Sequence, residues 1–180
     1  MSDSRRVHSA IKKASLQLYP TKPQGNLARH LAALAYLVSG IVLSKGCQLP
    51  KIASKVPGAI HPDSRAKQFS RWVNNEAITF DQYFLPFVAP LLTQLAATRP
   101  LVLVIDGSAV ARGCVTLMVS LLYAGRALPL AWLIMAGAKG HFPAETHLTL
   151  LREVKTRVTG GSNATPDAIA LNLVTVRLTR

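Results

Sequence analysis

Acidic side chains are scarce in this chain. It has 8 aspartates and glutamates among 180 residues, against 21 lysines and arginines, for a net charge of +13. An excess of that size favours a nucleic acid or an anionic membrane surface as partner, the blander reading being a basic protein that needs only solubility. Cysteine is also scarce. Cys47 and Cys114 form no metal-ligand or disulfide pattern, which fits a reduced, cytoplasmic chain with two buried thiols. No apolar run reaches the roughly 20 residues a membrane span requires. The longest in the first half, Leu31 to Leu43, reads as a buried helix, and Asp106, Arg112, Arg126 and Lys139 interrupt the later ones. The opening "MSDSRRVHSAIKK" is polar and lacks the pattern of a signal peptide. Internal repeats and long low-complexity segments are missing too.

The basic excess is uneven. Residues 1–100 hold 13 basic and 4 acidic side chains, and residues 101–180 hold 8 and 4. The pattern of apolar residues changes at Arg99-Pro100, from helical spacing to β-branched runs separated by glycine-containing turns.

The first half predicts helices over residues 5–18, 26–43, 49–56, 63–74 and 80–97, with Pro86 and Pro90 kinking or breaking the last. Leu27, Leu31, Leu34, Val38, Ile41 and Val42 form the expected core face of the second helix. In the 63–74 helix Ala66, Phe69, Trp72 and Val73 gather on one side, and Lys67, Arg71 and Asn74 on the other. The two short helices on either side of Pro57-Gly58 resemble a helix-turn-helix. Lys67, Arg71 and Asn74 then become candidates for phosphate and groove contact, or else a solvated helix face.

The second half predicts strands over 101–105, 113–123 and 126–135, followed by a helix over about 144–156. Ala124-Gly125 reads as a hairpin turn. Pro129 predicts that the third strand lies on a sheet edge, because proline cannot donate to a ladder. Trp72 and Trp132 are expected in the core, and His141 and His147 at the surface.

The stretch "LVLVIDGSAV" runs five apolar residues into Asp106. That carboxylate has three possible uses. It can cap a turn, since Asp-Gly is a common turn pair. It can act as a phosphatase-type nucleophile, although Ser108 stands where such enzymes carry a second Asp. It can bind a metal.

A family resemblance bears on that choice. The segment Leu101–Pro143, above all "YAGRALPLAW" over residues 123–132 together with Asp106-Gly107-Ser108, resembles the start of the catalytic domain of DDE-type bacterial insertion-sequence transposases. The helical first half, with "SRAKQFSRWVNNEAI", is similar to their N-terminal DNA-binding region. The resemblance covers roughly residues 10–157. It implies an α+β chain: a helical DNA-binding region over 1–98, a partial ribonuclease-H-like domain over 99–157 with a three-stranded antiparallel meander and a helix, and a divergent or frameshifted tail over 158–180.

It further implies an Asp, Asp, Glu triad holding two Mg²⁺ ions for in-line phosphodiester displacement, with Asp106 as the first catalytic carboxylate and metal ligand. The second Asp is expected at the end of the strand after the helix, and the Glu much later. Glu145 and Glu153 belong to the helix, Asp167 precedes the last apolar stretch, and nothing acidic follows it. The expectation is therefore a truncated transposase that binds DNA in the cytoplasm without a membrane and does not cut DNA alone. The alternatives are a DNA-binding regulator of the intact transposase, partnered with a full-length copy, and an Asp-nucleophile phosphatase.

Overall fold

The computed structural model describes residues 3–111, 113–137, 142–158 and 171–174. Its order is α1 (Asp3–Leu18), α2 (Gly25–Ser44), α3 (Leu49–Lys55), α4 (Pro62–Val73), α5 (Phe80–Tyr83), α6 (Leu85–Ala96), β1 (Leu101–Ala111), β2 (Cys114–Tyr123), β3 (Arg126–Ala136), α7 (Ala144–Val158) and β4 (Leu171–Val174). The fold is α+β with the helices first. The chain divides into two compact units, Met1–Phe87 and Val88–Arg180.

In the first unit α2 is the hub, packing against α1, α3 and α4. It is long and apolar enough to cross a membrane by length and composition, but its inward residues pack against neighbouring helices. The face it buries agrees with the expected one at Leu31 and departs from it at Val38, Ile41 and Val42. Leu31, Ala33, Ala35, Leu37, Ser39 and Gly40 are buried, whereas Val38, Ile41 and Val42 are exposed. The cause is the close approach of α3. A Cβ at Gly40 would lie 2.8 Å from the Ile52 backbone oxygen, so only the small-residue side of α2 admits α3. Burial there follows side-chain size as much as hydrophobicity.

The core of this unit gathers Leu37, Ile52, Ala53 and Phe69, with Tyr36, Leu49, Val56, Ala66 and Trp72 packed around it. Phe69 is completely buried. The expected apolar side of α4 therefore holds for Ala66, Phe69 and Trp72. Val73 is exposed instead, at the last helical position. Trp72 is half-buried and donates its indole N–H to the His30 carbonyl at 3.1 Å. Helix α4 starts at Pro62 behind His61, whose ring accepts from the Asp63 N–H at 3.4 Å. Proline at the first helical position sacrifices no internal hydrogen bond. The predicted break in the 80–97 helix falls at Phe84, between α5 and α6, and Pro90 stays inside α6.

In the second unit the sheet order is β3-β2-β1-β4. β1, β2 and β3 form an antiparallel meander, and β4 pairs parallel with β1 from Leu101–Leu171 to Val104–Val174. Ala124 and Gly125 both have positive φ, 48° and 73°, as a tight two-residue hairpin requires. β3 lies on the edge, as Pro129 demands. Val119 pairs with Ala131 and Ser120 with Pro129, so Leu130 is the extra residue of a bulge beside the proline. The core contains Leu101, Leu103, Ile105, Leu117, Val119 and Leu121 from the strands, with Leu92, Leu150 and Val154 from helices.

Three expectations are corrected. β1 does not stop at Ile105 but continues to Ala111, because its ladder with β2 runs on through Asp106, Gly107 and Ser108. Trp132, on the edge strand, is 41% exposed and not a core residue. Cys47 is exposed and Cys114 half-buried, so neither is a fully buried thiol. In addition, Leu171–Val174, placed by sequence in a divergent tail, forms a strand of the sheet.

Candidate functional site: a strand carboxylate and a basic helix face

Asp106 lies within β1, opposite Met118 of β2. Strand alternation sends Leu101, Leu103 and Ile105 into the core and Asp106 to the other face, which Met118 and Trp132 share across the ladder. The Ser108 hydroxyl donates to the Asp106 carboxylate at 3.3 Å. The turn-cap reading fails because no turn follows Asp106. The glycine after it has a different cause: a Cβ at Gly107 would lie 2.7 Å from the Phe142 ring, so the residue leaves room for that aromatic over the strand. The last β1–β4 pair is Val104–Val174, two residues before Asp106.

Among the described residues no three His, Cys, Asp or Glu side chains come together as a metal site. Glu145 pairs with Arg152 at 2.9 Å at the surface. Glu153 is half-buried on α7. His147 is half-buried beside Phe142 and within 3.1 Å of the Pro143 carbonyl. His141, Arg112 and Asp167 lie outside the described residues. Arg126 is exposed at the hairpin turn. Two Mg²⁺ ions need several hard oxygen ligands, so the described donor set around Asp106 does not fit a two-metal centre.

The second candidate is α4. Lys67 and Arg71 are exposed on one face, opposite buried Phe69, and form no ion pair among the described residues. Asn74 caps the helix: its backbone N–H and its side-chain amide both donate to the Ser70 carbonyl, the amide at 2.8 Å. This bond gives Asn74 a structural use that wheel geometry did not reveal.

Sequence reasoning missed Arg65. It is 3% exposed, with its guanidinium over the Tyr36 ring at 4.4 Å. One terminal nitrogen donates to the Pro57 carbonyl at 3.5 Å, and the buried Nε has no partner among the described residues. It ties the α3–α4 turn to α2, and that turn needs a glycine at 58, whose φ of 128° is strained for other residues. The far side of the cluster is α1, where His8 stacks on Tyr36 with centroids 4.0 Å apart and its Nδ1 is 3.2 Å from the Ser39 hydroxyl.

Burial lowers the His8 pKa from 6.5. A hydrogen bond with the Ala35 backbone opposes this, and Lys12 and Arg65 push it lower still. The unfolded chain therefore takes up the proton first. Stability is full above pH 6.5 and declines as pH falls from 6.5 to the lowered folded value. Denaturant midpoints measured across that window should drop for the wild type and flatten in His8→Gln. An equal pH dependence in both would contradict this assignment.

Comparison with protein-family models, with curated proteins and with solved structures finds no match to this chain.

Proposed function

We propose that this chain is a DNA-binding protein of the DDE-transposase type, cytoplasmic, with a helix-turn-helix in its first unit and a ribonuclease-H-like sheet in its second. The observation that carries the reading is the sheet. β1, which carries Asp106 opposite β2, lies between that antiparallel hairpin partner and a parallel β4 that follows α7 and pairs with β1 as far as Val104. That order supports a ribonuclease-H-like assignment, in which Asp106 stands for the first of three metal-binding carboxylates. The second belongs at the end of the strand after the helix. The sequence beyond Val174 is Thr-Val-Arg-Leu-Thr-Arg, with no carboxylate side chain.

Transposition, with Mg²⁺, is therefore the parent activity, and these 180 residues alone bind DNA without cutting it. One carboxylate leaves the attacking and leaving oxygens of a phosphodiester without the paired cations that such a displacement uses. A supercoiled plasmid incubated with the full chain and Mg²⁺ should bind and remain intact, and Asp106→Asn should bind equally well. Mg²⁺-dependent nicking lost in Asp106→Asn would overturn the non-cutting assignment.

A second reading is favoured by Asp106 having no cluster of acidic or histidine side chains around it among the described residues. A chain that binds transposase sites without cutting them acts as a regulator of a full-length copy, by occupying its DNA or by pairing with it. Inhibition of strand transfer by an intact relative would support it.

A further inference from the structure

Helix α1 turns only half-buried residues, including Val7, His8, Ile11 and Ser15, toward its neighbours. Its remaining surface carries Arg5, Arg6, Lys12 and Lys13, all exposed, and one acid, Asp3, which is paired with Arg6 at 2.9 Å. Around the helix axis Lys12 lies ~40° and Arg5 ~60° from His8. Both therefore flank the docking stripe on the His8 side, where the helix meets Tyr36.

Tyr36 is also where the buried Arg65 guanidinium rests. Side chains from three helices converge there: His8 and Lys12 from α1, Tyr36 and Ser39 from α2, and Arg65 from α4. The titratable and charged groups facing His8 are thus Lys12, Arg65 and the Tyr36 phenol. No ion pair among the described residues supplies a carboxylate to Lys12 or Arg65. The cationic charge of this corner is uncompensated within the described fold, and a polyanion is the partner that compensates it.

We propose that the Arg5–Lys12 flank of α1 is a second DNA-phosphate contact surface, joined to the α4 helix through the His8–Tyr36–Arg65 cluster. The proposal rests on the DNA-binding reading above and extends it from α4 to α1. A phosphate held against Lys12 makes the surroundings of His8 more negative, so the imidazole becomes a reporter of the contact.

The test uses the full chain and a short mixed-sequence DNA duplex. The His8 ring is titrated by NMR with and without duplex, its signal assigned by its loss in His8→Gln. In parallel, the salt dependence of binding is measured for wild type, Arg5→Gln/Lys12→Gln and Lys67→Gln/Arg71→Gln. The expected result is an upward shift of the His8 titration on DNA binding, with a salt slope shallower by about 1.8 in Arg5→Gln/Lys12→Gln. An unmoved His8 and an unchanged slope in that variant, with binding still weakened by Lys67→Gln/Arg71→Gln, would overturn the α1 surface and leave the α4 reading standing. No duplex binding by any form, at low salt, would overturn both.

Discussion

Replacing Phe69 with alanine should destabilise the helical unit by about 3–5 kcal/mol, the usual cost of emptying a fully buried aromatic site. Phe69 is completely buried and meets Leu37 of α2 and Ile52 and Ala53 of α3, so the cavity opens where three helices join. Those helices approach too closely to collapse into it, with Gly40 already against the Ile52 backbone. A domain of this size holds roughly 5–15 kcal/mol in total, so one substitution removes a large share. Urea unfolding of the full chain followed by Trp72 fluorescence, in a Trp132→Phe background, measures the loss. Val73→Ala is the control. Its side chain is 57% exposed on the same helix, and a change within about 0.5 kcal/mol is expected. A loss below about 1 kcal/mol for Phe69→Ala would show that Phe69 is not the keystone of that core.

The second large effect concerns Lys67 and Arg71. Each phosphate contact removed should reduce the salt slope by about 0.9, so Lys67→Gln/Arg71→Gln should lower it by about 1.8 and weaken binding most at low salt. Both side chains are exposed on the side of α4 away from Phe69, so the fold should survive, which an unchanged circular dichroism melt verifies. Asn74→Ala should behave differently. Its amide holds the Ser70 carbonyl at the end of α4, so it should soften the helix end with little change in salt slope. An unchanged slope in the double variant would remove α4 from the DNA interface.

The parts of this fold that were legible in the sequence are the local ones. The Ala124-Gly125 turn follows from the backbone angles two-residue hairpins require, and the edge position of β3 follows from the missing N–H of Pro129. Phe69 and Trp72 followed from helical spacing. What was hidden depends on partners distant in the chain. Arg65 looks like another surface cation until Tyr36, 29 residues earlier, is set beneath it. The apolar stripe of α2 suggested a face of Leu27, Leu31, Leu34, Val38, Ile41 and Val42; Leu31 is buried, but Val38, Ile41 and Val42 are exposed, and Ser39 and Gly40 are buried where α3 lies close. Asp106-Gly107 looked like the end of a strand. The β2 ladder carries β1 past it, and the glycine serves Phe142 instead. The parallel seat of Leu171–Val174 beside β1 was only partly legible, since the apolar stretch suggests a strand but its pairing depends on Leu101–Val104, 70 residues earlier.

Those long-range features shape the candidate site. Among the described residues Asp106 shares its sheet face with Met118 and Trp132 and not with a second acid. The basic character lies mainly in the first half of the chain. DNA binding is thus the central proposal for this chain.

The most direct test is binding of the full chain to duplex DNA, by anisotropy, as salt rises from about 50 to about 200 mM. Tight binding at the low end is expected, with a steep linear fall of log affinity with log salt. A flat dependence, or no binding at the lowest salt, would contradict the proposal.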